Sequence, residues 1–194
     1  LESEDGTATF ANFPNDSGQP VVVGGTAIPS NGTQGFNASL PLPAELTVGA
    51  SYSKDKWVVN VDYTRTYWDV YEDLDIVFAD GSESINPRNY KNSSIYKFGV
   101  GYAASEKFML RAGYYFDESP VQSGYFAPET PRNDSNGFSA GLSYAISSSF
   151  AIDASFLYVR FKEINESYDY VDDGSSFGGT YKSSAFVPGI GLTY

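Results

Sequence analysis

Histidine and cysteine are both absent from this chain of 194 residues. Zinc sites usually use one or both of these residues as ligands, and serine or cysteine nucleophiles usually need an imidazole base. Without cysteine no disulfide framework can form. We therefore predict that the protein is not an enzyme and that it has no catalytic residues, no metal site and no cofactor.

Long hydrophobic runs are missing too, and basic residues are few. No apolar run approaches the roughly 20 residues that a transmembrane helix needs. The 12 Lys and Arg against 24 Asp and Glu leave a net charge of −12, which disfavours nucleic acid as a partner because nucleic-acid binding calls for a basic surface. The chain begins at Leu1 without an initiator Met or a signal peptide, which we interpret as a processed or truncated end.

What the sequence does contain is an alternation of apolar and small or polar residues. At the C-terminus, Phe186, Pro188, Ile190, Leu192 and Tyr194 alternate with mostly small residues. One apolar face and an aromatic last residue are typical of the closing strand of Gram-negative outer-membrane β-barrels. Six earlier segments repeat this period of two and predict strands: about 44–53, 57 to as far as 78, 94–104, 108–117, 137–146 and 150–162.

The predicted connections alternate in length, and aromatic residues flank both ends of most strands. Tight turns near 54–56, 105–107 and 147–149 alternate with long connections at 79–93, 118–135 and 163–180, as periplasmic turns and external loops do in barrels. We interpret the aromatic residues as two interfacial belts: Tyr52, Trp57, Tyr102, Phe108, Tyr144, Phe150 and Tyr194 on one side, and Tyr67, Tyr71, Tyr114, Tyr115, Phe116, Tyr158 and Phe161 on the other. The prediction is an all-β fold, an antiparallel transmembrane β-barrel that crosses the bacterial outer membrane several times. A soluble β-sandwich with tyrosine-rich strands is the alternative.

The predicted strand count of about seven is odd, whereas bacterial single-chain barrels have even counts. An open sheet in lipid would leave unpaired edges. We therefore interpret residues 38–194 as the C-terminal seven strands of a larger barrel and residues 1–37 as a loop-like external segment. A second chain or a missing N-terminal half would complete the wall. The alternative is an eighth strand hidden in residues 1–37, near residues 19–24.

Two runs suggest a family. The run of residues 110–121, LRAGYYFDESPV, and the run of residues 138–144, FSAGLSY, resemble the FadL/TodX/OMPP1 family of outer-membrane transporters for hydrophobic compounds. The spacing of Trp57, Tyr63 and Trp68 after Leu42-Pro43 adds to the likeness. The resemblance covers roughly residues 38–194, and it implies half of a fourteen-stranded barrel that is plugged by an N-terminal hatch in the complete protein.

The same resemblance implies passive transport of hydrophobic compounds such as long-chain fatty acids. Ligands would pass from an external groove to an internal site and leave sideways through a gap in the wall. The alternative function is a FadL-like structural or partner barrel subunit of an outer-membrane secretion or surface-protein complex. The expected partners are a hydrophobic small molecule, outer-membrane lipid and lipopolysaccharide.

Two groups of candidate ligand-binding residues follow from the residue types. Apolar residues of the first segment could line an external groove, although packing on the barrel rim is the simpler interpretation: Phe10, Phe13, Val22, Ile28 and Phe36. Lys97 and Arg111 fall on the inward face by alternation and could hold a carboxylate head group. The simpler interpretation of these two cations is an internal ion-pair network with Asp62, Asp117 and Asp153.

Arg65 and Arg160 fall on the apolar face near the external ends of their strands. Long cationic side chains at such depths extend towards the polar interface. We predict that both reach lipopolysaccharide phosphates.

Overall fold

The computed structural model describes residues 2–10, 21–23, 26–28, 32–81, 83–127, 131–170 and 174–194. Every pairing between strands is antiparallel in these ranges. One turn of 3-10 helix spans Trp68–Val70. Within the described ranges no helix has both the length and the apolar character needed to cross a membrane.

The N-terminal segment contains strands, so its description as loop-like is wrong. The strands are β1 (Glu2–Phe10), β2 (Val21–Val23), β3 (Thr26–Ile28) and β4 (Gly32–Ser39). Strand β1 pairs with β4, where Thr9 Oγ1 lies 3.4 Å from Thr33 Oγ1 across the ladder. Threonine suits the half-exposed surface of such a pair, a signal that the high content of Gly, Asn and Ser obscured. Strand β2 pairs with β3 and does not join the large sheet described next, so the alternative of an eighth barrel strand is not observed among the residues of this stretch that the structure describes.

The remaining strands follow in chain order: β5 (Glu45–Lys54), β6 (Trp57–Thr66), β7 (Ile76–Phe78), β8 (Glu83–Ser84), β9 (Ser93–Ala103), β10 (Phe108–Asp117), β11 (Ser135–Ala145), β12 (Ala151–Phe161), β13 (Ile164–Tyr168), β14 (Phe177–Tyr181) and β15 (Ser184–Thr193). Seven of them form one sheet in the order β15-β12-β11-β10-β9-β6-β5. The prediction of an antiparallel sheet of about seven strands is therefore confirmed. The second of them ends at Thr66 rather than near Phe78, because the alternation stops at Tyr67 and the chain turns into the 3-10 helix.

The pairing register puts apolar residues opposite apolar residues across this sheet. Val48 pairs with Tyr63, Tyr63 with Tyr96, and Tyr96 with Phe116. Since residues two apart share a face, the middle of one face is apolar, and many of its side chains are exposed, among them Leu142 at 37 % and Ile190 at 86 %. A sandwich would bury such a face against a second layer. We call this the outer face, and it has the character of a surface that meets lipid.

The small buried core lies among the long connections rather than under the sheet. Phe126 and Ala127 are 1 % and 3 % exposed. Strands β13 and β14 form a hairpin within the connection from β12 to β15. Strands β7 and β8 extend the β1–β4 pair into a four-stranded sheet in the order β1-β4-β7-β8. The connections at one end of the large sheet are therefore structured elements.

Candidate functional site

The middle of the opposite, inner face of the large sheet is lined by small residues. Gly99 pairs with Gly113, and Gly113 with Ser139. In the next row Gly101 pairs with Arg111, and Arg111 with Gly141. With few side chains projecting, these rows leave a trough of about 790 Å³ across strands β6, β9, β10, β11, β12 and β15, which we call the inner trough.

Arg111, one of the two inward cations, has a charged partner at the floor of the inner trough. Its Nη1 donates a hydrogen bond to Ser143 Oγ at 2.5 Å and lies 3.9 Å from Asp153 Oδ1. Ser143 in turn donates to Asp153, and Thr193 Oγ1 donates to the other carboxylate oxygen at 3.3 Å. The charge of Arg111 is therefore compensated within the wall.

Lys97, the other inward cation, stands between two neighbours that lean away from it. Its cross-strand partners are Asp62 on β6 and Tyr115 on β10. The Asp62 carboxylate lies over Gly49, where an added Cβ would be 2.1 Å from its Oδ1. Among the described residues no carboxylate forms an ion pair with Lys97. Its ammonium group attracts the Asp117 carboxylate from beyond ion-pair distance, and it does not belong to the lining of the inner trough.

A second cavity, of about 610 Å³, lies where the strands meet the long connections. We call it the mouth cavity. Five rings line it, from Trp68, Tyr71, Tyr90, Tyr115 and Phe161, together with the stretch 40–43 and Pro131. Tyr71 and Tyr90 meet edge to face at 90° with ring centroids 5.1 Å apart, and Trp68 lies 5.9 Å from Tyr90. Such ring clusters offer a large apolar surface of defined shape.

The mouth cavity carries two charged lining residues, and they neutralise each other. Arg132 Nη2 lies 3.2 Å from Asp117 Oδ2. The same guanidinium sits 5.7 Å from the ring centroid of Trp68, a cation–π contact. Asp117 thus forms its ion pair with a residue of a long connection, while Lys97 attracts the same carboxylate from a longer distance. The cavity presents rings and a compensated ion pair, which favours uncharged apolar groups.

Tyr115 is shared between the two cavities. It contributes to the lining of both, and no other residue that the structure describes does so. Its position on β10 puts it one alternation step above Gly113 of the inner trough and one below Asp117 of the mouth cavity. The two cavities therefore adjoin at this side chain and together run along the inner face.

The long connections hold each other in place around the mouth cavity. Three hydrogen bonds illustrate this: Gln122 Nε2 to Asn89 O at 2.5 Å, Asn133 Nδ2 to Lys162 O at 2.8 Å, and Phe126 N to Ser167 O at 3.0 Å. Tyr170 Oη donates to Tyr125 Oη at 2.5 Å, and this hydrogen bond is the main cause that raises the pKa of Tyr170. The connections therefore form a mutually bonded collar, which we call the loop collar.

The candidate residues of the N-terminal segment lie on four different strands or outside the described residues. Phe10, Val22 and Ile28 belong to β1, β2 and β3, and Phe13 lies outside the described residues. Phe36, on β4, packs its ring over Gly6, where a Cβ would lie 2.6 Å from Phe36 Cζ. Phe36 lines neither cavity. Their role in ligand binding stays a prediction.

Three aromatic residues line the mouth cavity and not the external lipid belt that the sequence predicts for them, so this part of the prediction is wrong. They are Tyr71, Tyr115 and Phe161. For Tyr115 the signal was present, because the period of two puts it on the same face as Arg111 and Gly113. For Trp68, Tyr90 and Arg132, which sequence reasoning did not place in a site, no periodic pattern was available. Their positions depend on how the connections fold over the sheet.

An antiparallel sheet with an exposed apolar outer face, a small-residue inner face and structured connections at one end is the wall of a transmembrane β-barrel. Aromatic pairs such as Trp57 with Tyr102, 4.4 Å apart, lie at the end of the wall near the tight turns. Charged residues at the lipid-facing midplane are avoided in such barrels, as they are here. The class of the protein is therefore an outer-membrane β-barrel, as predicted.

The sequence matches the family described as outer membrane protein transport protein (OMPP1/FadL/TodX) over residues 3–194. The chain belongs to this family, and its place is the bacterial outer membrane, which it crosses several times.

Relatives agree with this assignment. The long-chain fatty acid transport protein of Escherichia coli K12 is 24 % identical over 86 % of this chain and 39 % of its own length. A Pseudomonas aeruginosa FadL homologue superposes with a TM-score of 0.76 at 23 % identity, over 84 % of this chain and 38 % of the other. The toluene transporter TbuX of Ralstonia pickettii gives a TM-score of 0.53 at 23 % identity, over 83 % and 36 %. The chain thus spans less than two fifths of the length of these relatives. At 23 % identity, the two solved structures support the fold alone.

Proposed function

We propose that this protein lets hydrophobic small molecules cross the outer membrane passively along its inner face. The observation that carries the proposal is the contiguity of the mouth cavity and the inner trough, which share Tyr115 in their linings. Ligand pockets are typically concave and mostly apolar with a few polar groups, and both cavities have this character. The names of two relatives, a long-chain fatty acid transport protein and a toluene transporter, agree with such a cargo.

Entry through the mouth cavity would select for apolar groups. Its rings can take up aliphatic chains and aromatic compounds alike, and its Arg132–Asp117 pair leaves no net charge to attract an anion. Desolvation of apolar surface contributes roughly 25 cal/mol per Å². Hydrophobic burial is therefore the driving force for capture at this end.

Long-chain fatty acids are the more specific cargo that we propose, because of Lys97. An ammonium group on the inner register that forms no ion pair within the described residues can receive the head group by a charge-assisted hydrogen bond. Arg111 is a weaker candidate, since Asp153 already compensates its charge. The candidates Phe10, Phe13, Val22, Ile28 and Phe36 remain proposals for an outer capture surface.

The partners of the wall are proposed from its edges and its outer face. Strands β5 and β15 end the sheet within the described residues. Unsatisfied backbone groups in lipid cost several kcal/mol each, so we propose that further strands, from the same polypeptide or a second chain, complete a fourteen-stranded barrel. Arg65 Nη1 donates to Ser94 Oγ at 3.0 Å on the outer face. With Arg160 it would contact lipopolysaccharide phosphates.

Two measurements test the transport proposal. Bacterial cells that lack their own transporter of this family would carry the protein in the outer membrane, and uptake of radiolabelled oleate and toluene would be compared with cells that lack the protein. In detergent, the same compounds should change the fluorescence of Trp68, with the signal lost in Trp68→Phe and kept in Trp57→Phe, whose indole lies on the outer face. Increased uptake with a Trp68 signal supports transport. If neither uptake nor Trp68 fluorescence changes, the transport proposal is overturned, and the function of a structural or partner subunit remains.

A further inference from the structure

We propose that Tyr115 determines which hydrophobic compounds pass from the mouth cavity into the inner trough, and that Gly137 positions the Tyr115 ring for this role. The inference rests on the transport function proposed above and deepens it, since it names the residue that sets the specificity of the route. Tyr115 is suited to the role because it lines both cavities. A ligand that moves from one cavity to the other along this shared lining passes the ring.

The ring lies flat against the wall because its neighbour on β11 has no side chain. Tyr115 and Gly137 are directly paired across strands β10 and β11. A Cβ built on Gly137 would lie 1.9 Å from Tyr115 Cε1 and 2.4 Å from Cζ, distances that no real structure tolerates. The ring therefore occupies the space that any other residue at position 137 would need. With a side chain there, the ring would have to swing off the wall into the route.

The direction in which the ring leans also matters for the route. On its other side Tyr115 is paired with Lys97 on β9. The ring leans towards Gly137 and the Asp62 carboxylate leans towards Gly49, so the space over Lys97 stays open. One face of the Tyr115 ring therefore covers the wall at Gly137.

Aromatic rings over strand glycines also stabilise β-sheets, and a purely structural role must be separated from a role in specificity. The chain offers a matched control in Tyr114, the preceding residue on β10. Tyr114 faces outwards and packs on Phe138 with ring centroids 5.2 Å apart. Truncation of Tyr114 removes an aromatic cross-strand pair at the same height of the wall without touching the route.

The test compares uptake of toluene, which has one ring, with uptake of naphthalene, which has two fused rings, in cells that carry the protein. Tyr115→Ala should raise the ratio of naphthalene to toluene uptake by about tenfold, the order of discrimination that apolar pockets achieve by size. Gly137→Ala should lower uptake of both compounds by about tenfold or more, because the displaced Tyr115 ring would narrow the route and apolar passages discriminate by size to this extent. The double variant Tyr115→Ala/Gly137→Ala should restore uptake, because the added methyl group then has no ring to displace.

The controls are Tyr114→Ala and Gly191→Ala, both of which should keep the uptake ratio of the wild type. Gly191 lies on the inner register, but an added Cβ there would meet Asp153 Cβ at an ordinary 3.6 Å. Insertion of every variant is checked by the shift in electrophoretic mobility between heated and unheated samples. If Gly137→Ala does not insert, the uptake ratio of Tyr115→Ala still tests the role of Tyr115, because this substitution removes atoms and creates no clash.

Failure of the inference differs from failure of the proposed function. An unchanged uptake ratio in Tyr115→Ala, in cells where the wild type transports toluene, would overturn the role of Tyr115 and leave transport intact. Loss of uptake in Gly137→Ala that the double variant does not restore would also overturn it. No uptake by the wild type would instead contradict the transport function itself.

Discussion

The two inward cations differ in their neighbours, and this difference decides what each can do. Arg111 shares its charge with Ser143 and Asp153, whereas the cross-strand neighbours of Lys97 lean away from it. A compensated guanidinium contributes to the wall and offers little to a ligand. An ammonium group that attracts Asp117 only from beyond ion-pair distance suits an amphipathic ligand with one anionic end.

The first prediction is that Lys97→Gln lowers uptake of oleate about tenfold and leaves toluene uptake unchanged. A hydrogen bond to a charged group contributes about 1.5–3 kcal/mol. Uncharged toluene does not form this hydrogen bond with Lys97, so its uptake should not change. The measurement is initial uptake of both compounds by cells carrying the variant. Lys107→Gln, in the tight turn between β9 and β10, is the control and should transport both compounds like the wild type. Equal loss of both compounds in Lys97→Gln would contradict a head-group role.

Sequence alone could place these residues on a face but could not say what they touch. The period of two put Lys97, Arg111 and Asp153 inside, because alternation follows from backbone geometry. Which neighbour each side chain leans towards depends on glycines on adjacent strands, such as Gly49 and Gly137, and therefore on register. Tyr115 shows the same limit, since an aromatic residue near a strand end suits both a lipid belt and a lumenal cavity.

Among the elements, the loop collar has its own hydrophobic core. Phe126 is 1 % exposed and packs against Tyr181 of β14 with ring centroids 4.5 Å apart. The backbone of Phe126 also donates to Ser167 O of β13 at 3.0 Å. One side chain therefore joins the connection after β10 to the β13–β14 hairpin, and the collar depends on it.

The second prediction is that Phe126→Ala loosens the collar while the wall stays inserted. Loss of a buried phenylalanine costs about 3–5 kcal/mol, which exceeds what a few surface hydrogen bonds can offset. Limited proteolysis of intact cells should then cut the variant within the collar at protease concentrations that leave the wild type whole. Phe177→Ala is the control, since Phe177 is 56 % exposed. Equal protease resistance of the variant and the wild type would show that the collar does not depend on Phe126.

The strands of the wall could be predicted from sequence, whereas the collar could not. Each wall strand carries its own period of two, imposed by lipid on one side and a polar interior on the other. The collar strands β7, β8, β13 and β14 span two to five residues, too few to show a period. Their positions follow from contacts between connections distant in sequence, such as Tyr125 with Tyr168.

At the scale of the whole molecule, the wall is stable only if lipid covers its outer face. Val61, at the centre of β6, is 46 % exposed and pairs with Ala50 and Phe98 on that face. Its neighbour Asn60 belongs to the inner face and lines the inner trough. Two consecutive residues thus meet opposite environments, which allows the assignment of the two faces to be tested within one strand.

The third prediction is that Val61→Arg destabilises the inserted protein and Asn60→Arg does not. An arginine at the lipid-facing midplane of a barrel costs about 2–4 kcal/mol, whereas a lumenal position is far more tolerant. The measurement is the free energy of unfolding by urea for each variant in lipid vesicles. Asn60→Arg should instead reduce toluene uptake, since its long side chain would enter the inner trough. If Asn60→Arg proved the more destabilising of the two, the faces would be reversed. The mouth cavity and inner trough would then lie on the lipid side, where no route across the membrane could pass.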